Sequence, residues 1–142
     1  MILLHTNVLS EFMRPQPAAQ VVAWLDRQPA GEVCMSAISR AEIELGLALM
    51  PEGRRRESLT ETAQAIFDEE FAGRCLPFDA AVARHYARIV STRAQAGRPI
   101  SVEDAQIAAI ALAHRMPLAT RNRSDFESIA GLIVINPWTE GA

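Results

Sequence analysis

No apolar run in this sequence approaches the roughly 20 residues that a membrane-spanning helix requires. No basic stretch leads into an apolar segment with a small-residue cleavage site, so a cytoplasmic protein without a secretory signal is expected. Cysteine is scarce: Cys34 and Cys75 are the two present, and they lack CxxC spacing. That argues against a disulfide framework or a thiolate zinc site, and for two buried free thiols. No repeat, low-complexity segment or linker interrupts the chain. A net charge of −3 excludes a basic coat for nucleic acid. An enzyme that gathers carboxylates around a hard cation, and attracts nucleic acid through local basic patches, stays open.

What is present fits one domain, residues 1–142, around one core. The chain is 49% hydrophobic and 22% charged, as globular chains usually are. The apolar run at 2–4 predicts a strand, and a short helix follows at 7–13, stopped by Pro15 and Pro17. A second helix over 18–28 carries Val21, Val22 and Leu25 on one face. VCMSAIS predicts a strand, and RAEIELGLALM a helix with Ile43, Leu47 and Met50 in step. The segment 54–72 is strongly amphipathic through Leu59, Ala63, Ile66, Phe67 and Phe71. RCLPF reads as a short strand or an extended connector. Residues 80–97 form a helix with Gly97 as its C-terminal cap. AQIAAIALA is apolar on nearly every side, which predicts a central buried helix. LAT and LIVIN read as two further strands, and WTEGA as a peripheral tail.

Strands alternating with helices predict an α/β fold with a mainly parallel sheet covered on both faces. Ligands of such sheets lie beyond the carboxyl ends of the strands. Those positions are polar here: His5, Thr6 and Asn7; Ser39 and Glu42; then Thr120, Arg121, Asn122, Arg123, Ser124 and Asp125. Asp104 opens the buried helix three residues after Ser101, a suitable N-cap. Each has an ordinary explanation. Asp104 complements a helix dipole, and Asn122 and Asp125 suit a helix cap. Glu42 and Glu44, two apart, point to nearly opposite sides, and pattern alone does not choose between them. His85 and His114 have no partner at ligand spacing. Arg54, Arg55 and Arg56 read as a solvated face. Val21, Trp24, Leu25, Leu59 and Phe67 read mainly as core, with an apolar groove for a partner as the alternative. Together, carboxylates and amides on one rim suit Mg²⁺ or Mn²⁺ and phosphodiester chemistry. A phosphatase or receiver-like domain would need an aspartate nucleophile, and no D-x-D follows the first strand.

Four segments in order, MILLHTNVLSE, SAISRAEIELGL, GRPISVEDAQIAAIALAH and LATRNRSDFE, give the chain a specific resemblance over nearly its whole length. It resembles the PIN-domain ribonucleases of the VapC type, close to the FitB-like branch, toxins of type II toxin–antitoxin pairs. The resemblance implies a three-layer α/β/α fold and a Mg²⁺- or Mn²⁺-dependent endoribonuclease. It implies Glu42, not Glu44, as the second acidic position and Asp104 as the third. The fourth falls on Asn122 or Asp125, and Thr6 and Thr120 fill the hydroxyl positions. Arg14, Arg115, Arg121 and Arg123 are weaker candidates for guiding RNA. The partners implied are a cognate antitoxin, RNA, operator DNA through the antitoxin, and a second copy in a homodimer.

The departure from the family is at the end of the first strand. Where the family pattern reads D-T-N, with the aspartate ligating metal together with Asp104, this chain has His5. Imidazole removes a negative charge and a hard oxygen ligand, which weakens Mg²⁺ binding. It suits Zn²⁺, Ni²⁺ or Mn²⁺ better. The expectation is an intact fold with strongly reduced Mg²⁺-dependent cleavage. An engineered or selected change, a degenerate toxin, and a live enzyme with a softer metal all fit. The alternative function is an inactive module that pairs with antitoxin in an operon-repressing complex.

Overall fold

Successive residues of a strand point to opposite faces of a sheet, and the short strands of this protein use both faces. The computed structural model describes residues 1–140. Strands β1 (Ile2–Leu4), β2 (Val33–Ser36), β3 (Cys75–Leu76), β4 (Leu118–Ala119) and β5 (Val134–Ile135) form one sheet in the order β3-β2-β1-β4-β5. Every pairing is parallel. Leu3, Cys34 and Leu118 face one core, and Leu4, Met35 and Ala119 face the other. Strands covered on both sides need apolar residues throughout, which is why they read as runs rather than alternations.

The first core is closed by α5 (Ala80–Gln95) and α6 (Val102–Ala113). In α6, Ala105 and Ile107 to Ala111 are all buried, as its all-round apolar sequence predicts. The second core is closed by α1 (Thr6–Phe12), α2 (Ala19–Asp26), α3 (Ala37–Ala48) and α4 (Arg54–Ala65). The layering is therefore helix, sheet, helix. Among the described residues, no helix is long and apolar enough to cross a membrane.

Several boundaries differ from expectation, for local reasons. The strand expected over VCMSAIS stops at Ser36. The Ser36 hydroxyl accepts the Ser39 N–H at 3.0 Å and starts α3 at Ala37, pulling Ser39 into its first turn. The helix expected over 54–72 is regular only to Ala65, then widens into a π-turn over Ile66–Glu70. RCLPF supplies the two-residue edge strand β3. A short helix, α7 (Arg123–Phe126), stands between β4 and β5, where the expected order had none. In α2 the buried pair is Val21 and Trp24, while Val22 and Leu25 are only partly covered. Both cysteines are free, as expected, but Cys75 is half-buried rather than buried. Gly97 caps α5 with φ 68°, a left-handed conformation that glycine adopts without strain. The expected peripheral tail is corrected at Trp138, which packs against the second core; Gly141 and Ala142 lie outside the described residues.

Candidate active site

Residue 5 follows β1 two positions after Leu3, so it shares that face and points toward α6. The imidazole is 5% exposed. His5 Nε2 lies 2.9 Å from Asp104 Oδ1, and His5 Nδ1 lies 2.9 Å from Thr120 Oγ1. Phe126 of α7 meets the ring edge-on, with centroids 5.1 Å apart and planes at 72°. Thr120 follows β4 on the face of Leu118 and is fully buried. Asp104 sits in the first turn of α6, where its N–H is capped by the Ser101 hydroxyl at 3.1 Å.

Counting protons orients this network. The Thr120 oxygen accepts from Asn7 Nδ2 at 3.2 Å and from the Asn122 N–H at 3.1 Å. A hydroxyl has two lone pairs and one proton. With both pairs used, the proton goes to His5 Nδ1. The ring is thereby assigned as the neutral Nε2–H tautomer, donating to Asp104. That hydrogen bond holds the Asp104 carboxyl below its ordinary range, against the opposing effect of burial.

A second chain of hydroxyls ends on Glu42. Thr6 Oγ1 donates to Glu42 Oε1 at 2.7 Å, so the Ser39 hydroxyl, 2.8 Å away, donates to Thr6. Ser36 donates in turn to Ser39 at 3.4 Å. Glu42 lines an open cleft of about 500 Å³ together with His5, Thr6, Asp104, Asn122 and Arg14. Glu44 is exposed and pairs with Arg40 at 3.5 Å.

The cleft thus brings together His5, Thr6, Glu42, Asp104 and Asn122, with Thr120 directly beneath them. It does not include Asp125, which is exposed and whose carbonyl accepts Arg93 Nη1 at 2.9 Å. Of the arginines considered for RNA, Arg14 lines the cleft. Arg121 lies 5.0 Å over the Trp138 ring, and Arg123 pairs with Glu127 at 3.6 Å. Arg115 precedes β4 and lies beside Met116 and Pro117, at the other end of the parallel sheet.

Two of the polar strand-end residues, Asn7 and Ser39, take roles that sequence did not assign them, and Glu11 was not singled out at all. Asn7 bonds Thr120 and also accepts the Arg121 N–H at 3.4 Å, tying the β1 and β4 ends together. Ser39 orders the hydroxyls before Glu42; its i,i+3 spacing to Glu42 was the available signal. Glu11 is 5% exposed and accepts the Ala18 N–H at 2.8 Å, fixing the turn between α1 and α2. Its signal was the i,i+4 spacing from Asn7.

Asp104, His5 and Thr120 stand in the acid–imidazole–hydroxyl order of a hydrolase triad. Thr120 is nevertheless fully buried, and its oxygen already accepts two N–H groups. It cannot reach a substrate, so nucleophilic catalysis of that type is excluded. The residues also do not fit a hard divalent cation, which needs several converging oxygen donors. Among the described residues, no three His, Cys, Asp or Glu side chains converge as a metal site. Asp104 and Glu42 each use one oxygen, Oδ1 on His5 and Oε1 on Thr6, and it is His5, with both ring nitrogens engaged, that breaks the oxygen set.

Comparison with known proteins gives this geometry a context. Residues 2–132 match the PIN domain family. Toxin FitB of Neisseria gonorrhoeae is 46% identical over 138 residues, 97% of this chain and 99% of the relative. The VapC ribonuclease Y4jK of Sinorhizobium fredii is 43% identical over 138 residues, 97% of this chain and 98% of the relative. A solved structure of FitAB bound to an IR36 DNA fragment superposes with a TM-score of 0.89 at 45% identity, covering 100% of this chain and 99% of that one.

Proposed function

The chain belongs to the PIN domain family, and from that premise we propose that it is the toxin component of a type II toxin–antitoxin pair, built on an endoribonuclease scaffold that His5 has weakened. The carrying observation is the strand-end cleft, which joins Thr6, Glu42, Asp104 and Asn122 but has imidazole, bonded to Asp104, at the first ligand position. Its relatives carry the names of toxins and of a VapC ribonuclease, which supports hydrolysis of RNA phosphodiesters as the family activity. Mg²⁺ or Mn²⁺ is the ion that the family's oxygen-lined site would take, and the imidazole of His5 is what keeps this chain's residues from fitting it. In this chain Arg14 is positioned to hold an RNA phosphate at the cleft, and Asp104 and Glu42 supply the carboxylates. Asp125 and the remaining arginines are left to an outer role.

The partners are a cognate antitoxin and, through it, operator DNA; a solved relative is FitAB bound to an IR36 DNA fragment. We place the chain in the cytoplasm, as one domain over residues 1–142 and as a homodimer. A second reading is favoured by the closed His5–Asp104–Thr120 network: a PIN module without cleavage that acts by binding antitoxin and repressing its operon. The two separate in one pair of experiments, an RNA cleavage assay with Mg²⁺ and Mn²⁺ and co-purification with the product of the neighbouring gene. Cleavage supports the toxin reading. Binding without cleavage supports the second, and neither one rejects both.

A further inference from the structure

We propose that His5 takes the place of a metal ion in this site, so that the folded cleft is complete without a divalent cation and does not bind one. The inference deepens the proposed function and rests on it for one point, that the family pattern has an aspartate at this position.

Three observations carry it. The first is the proton count: Nε2–H is donated to Asp104, and Nδ1 accepts from Thr120. No ring lone pair remains for a cation, hard or soft. The second is confinement. The ring is 5% exposed, with the edge of Phe126 against it and the first turn of α6 beyond. Turning Nε2 away from Asp104 would leave a buried N–H without a partner, which folded proteins strongly avoid. The third is that the other carboxylates lining the cleft are held separately: Glu42 Oε1 accepts from Thr6, and Glu11 accepts from Arg14 and from the Ala18 N–H. The imidazole N–H therefore answers Asp104 as a bound cation would, at 2.9 Å.

Replacing His5 reverses the situation. In His5→Asp a second carboxylate stands beside Asp104, and two like charges at close range favour binding of a cation between them. The parent and the variant should consequently differ in metal response, whatever their activity.

The test is Mn²⁺ binding, followed by electron paramagnetic resonance and calorimetry, with melting temperatures recorded in EDTA, Mg²⁺, Mn²⁺ and Zn²⁺. The parent is expected to bind none of these ions at an Asp104-dependent site, and to melt at one temperature in all four conditions. His5→Asp is expected to bind Mn²⁺ at least ~10-fold more tightly, to melt lower in EDTA and to recover with Mn²⁺. His5→Asp combined with Asp104→Asn should lose that response. Saturable Mn²⁺ or Zn²⁺ binding by the parent that Asp104→Asn abolishes would overturn the proposal, and this arm needs no variant at position 5. A folded His5→Asp protein with no metal response would overturn it too. A chain that ignores metal yet binds no antitoxin and cleaves no RNA would leave this inference standing and reject the toxin reading.

Discussion

At the scale of single residues, Thr120 is the hub of the cleft. Its hydroxyl makes three hydrogen bonds in a fully buried position. Thr120→Val keeps the shape but strands the Asn7 amide, the Asn122 N–H and His5 Nδ1. It should destabilise by about 1–3 kcal/mol, read as a lower urea midpoint at unchanged slope. Asp104 makes a pH prediction. Its folded pKa lies below the ~3.9 of a free aspartate, because of the His5 hydrogen bond. The ionised carboxylate thus adds stability above about pH 4, and that contribution is lost as pH falls through the folded value. Urea midpoints of the parent and Asp104→Asn should be well separated at neutral pH and draw together as pH falls below the free-aspartate range. The cysteines give a third expectation. Burial pushes both thiols above the ordinary thiol value, so they are mostly protonated at neutral pH and poor nucleophiles. Iodoacetamide should modify Cys34 slowly in the folded protein and rapidly in urea, as mass spectrometry would report.

At the scale of elements, the site depends on where two helices begin. Ser101 caps α6 through the Asp104 N–H, and Asp104 is then delivered to His5. Ser101→Ala should cost about 1 kcal/mol of stability, and should loosen Asp104, read as broadened side-chain resonances of His5. This pairing was readable from sequence, since a serine three residues before an acid at the head of an apolar helix is a strong local signal. The face of His5 was readable too, by counting two from Leu3. Other features were not. Helix α7 spans four residues, too few for any periodicity. Its brevity also hid the difference between Asn122, which lines the cleft, and Asp125, whose carbonyl is held by Arg93 from α5. The early start of α3 was masked because AIS suits a strand as well as a first turn. The cap at Ser36 decides it.

At the scale of the whole molecule, a parallel sheet with buried faces brings distant segments to one rim. Residue 5 meets residue 104 and residue 120 because β1 pairs with β4 and lies under α6. The resemblance of the four motifs supplied which acids to pair; the sheet order supplies why they meet. It also explains why Arg115, close to Thr120 in sequence, stands at the opposite end of the sheet. What the motifs alone did not reveal is how fully His5 is absorbed. Its two ring nitrogens, the Thr120 hydroxyl and the Asp104 carboxylate form a satisfied set, and among the described residues no buried side-chain polar atom lacks a partner. A histidine at a strand end is often a sign of chemistry. On the proposed reading it fills the position that the family pattern gives to an aspartate.

The central claim, that this one side chain separates the protein from an active PIN ribonuclease, is tested most directly by rate. Parent and His5→Asp proteins, each free of antitoxin, are incubated with the same RNA in Mg²⁺, and initial cleavage rates are compared. His5→Asp should be faster by at least the ~10–100-fold that perturbing metal surroundings commonly costs. Equal rates, or a faster parent, would contradict the account.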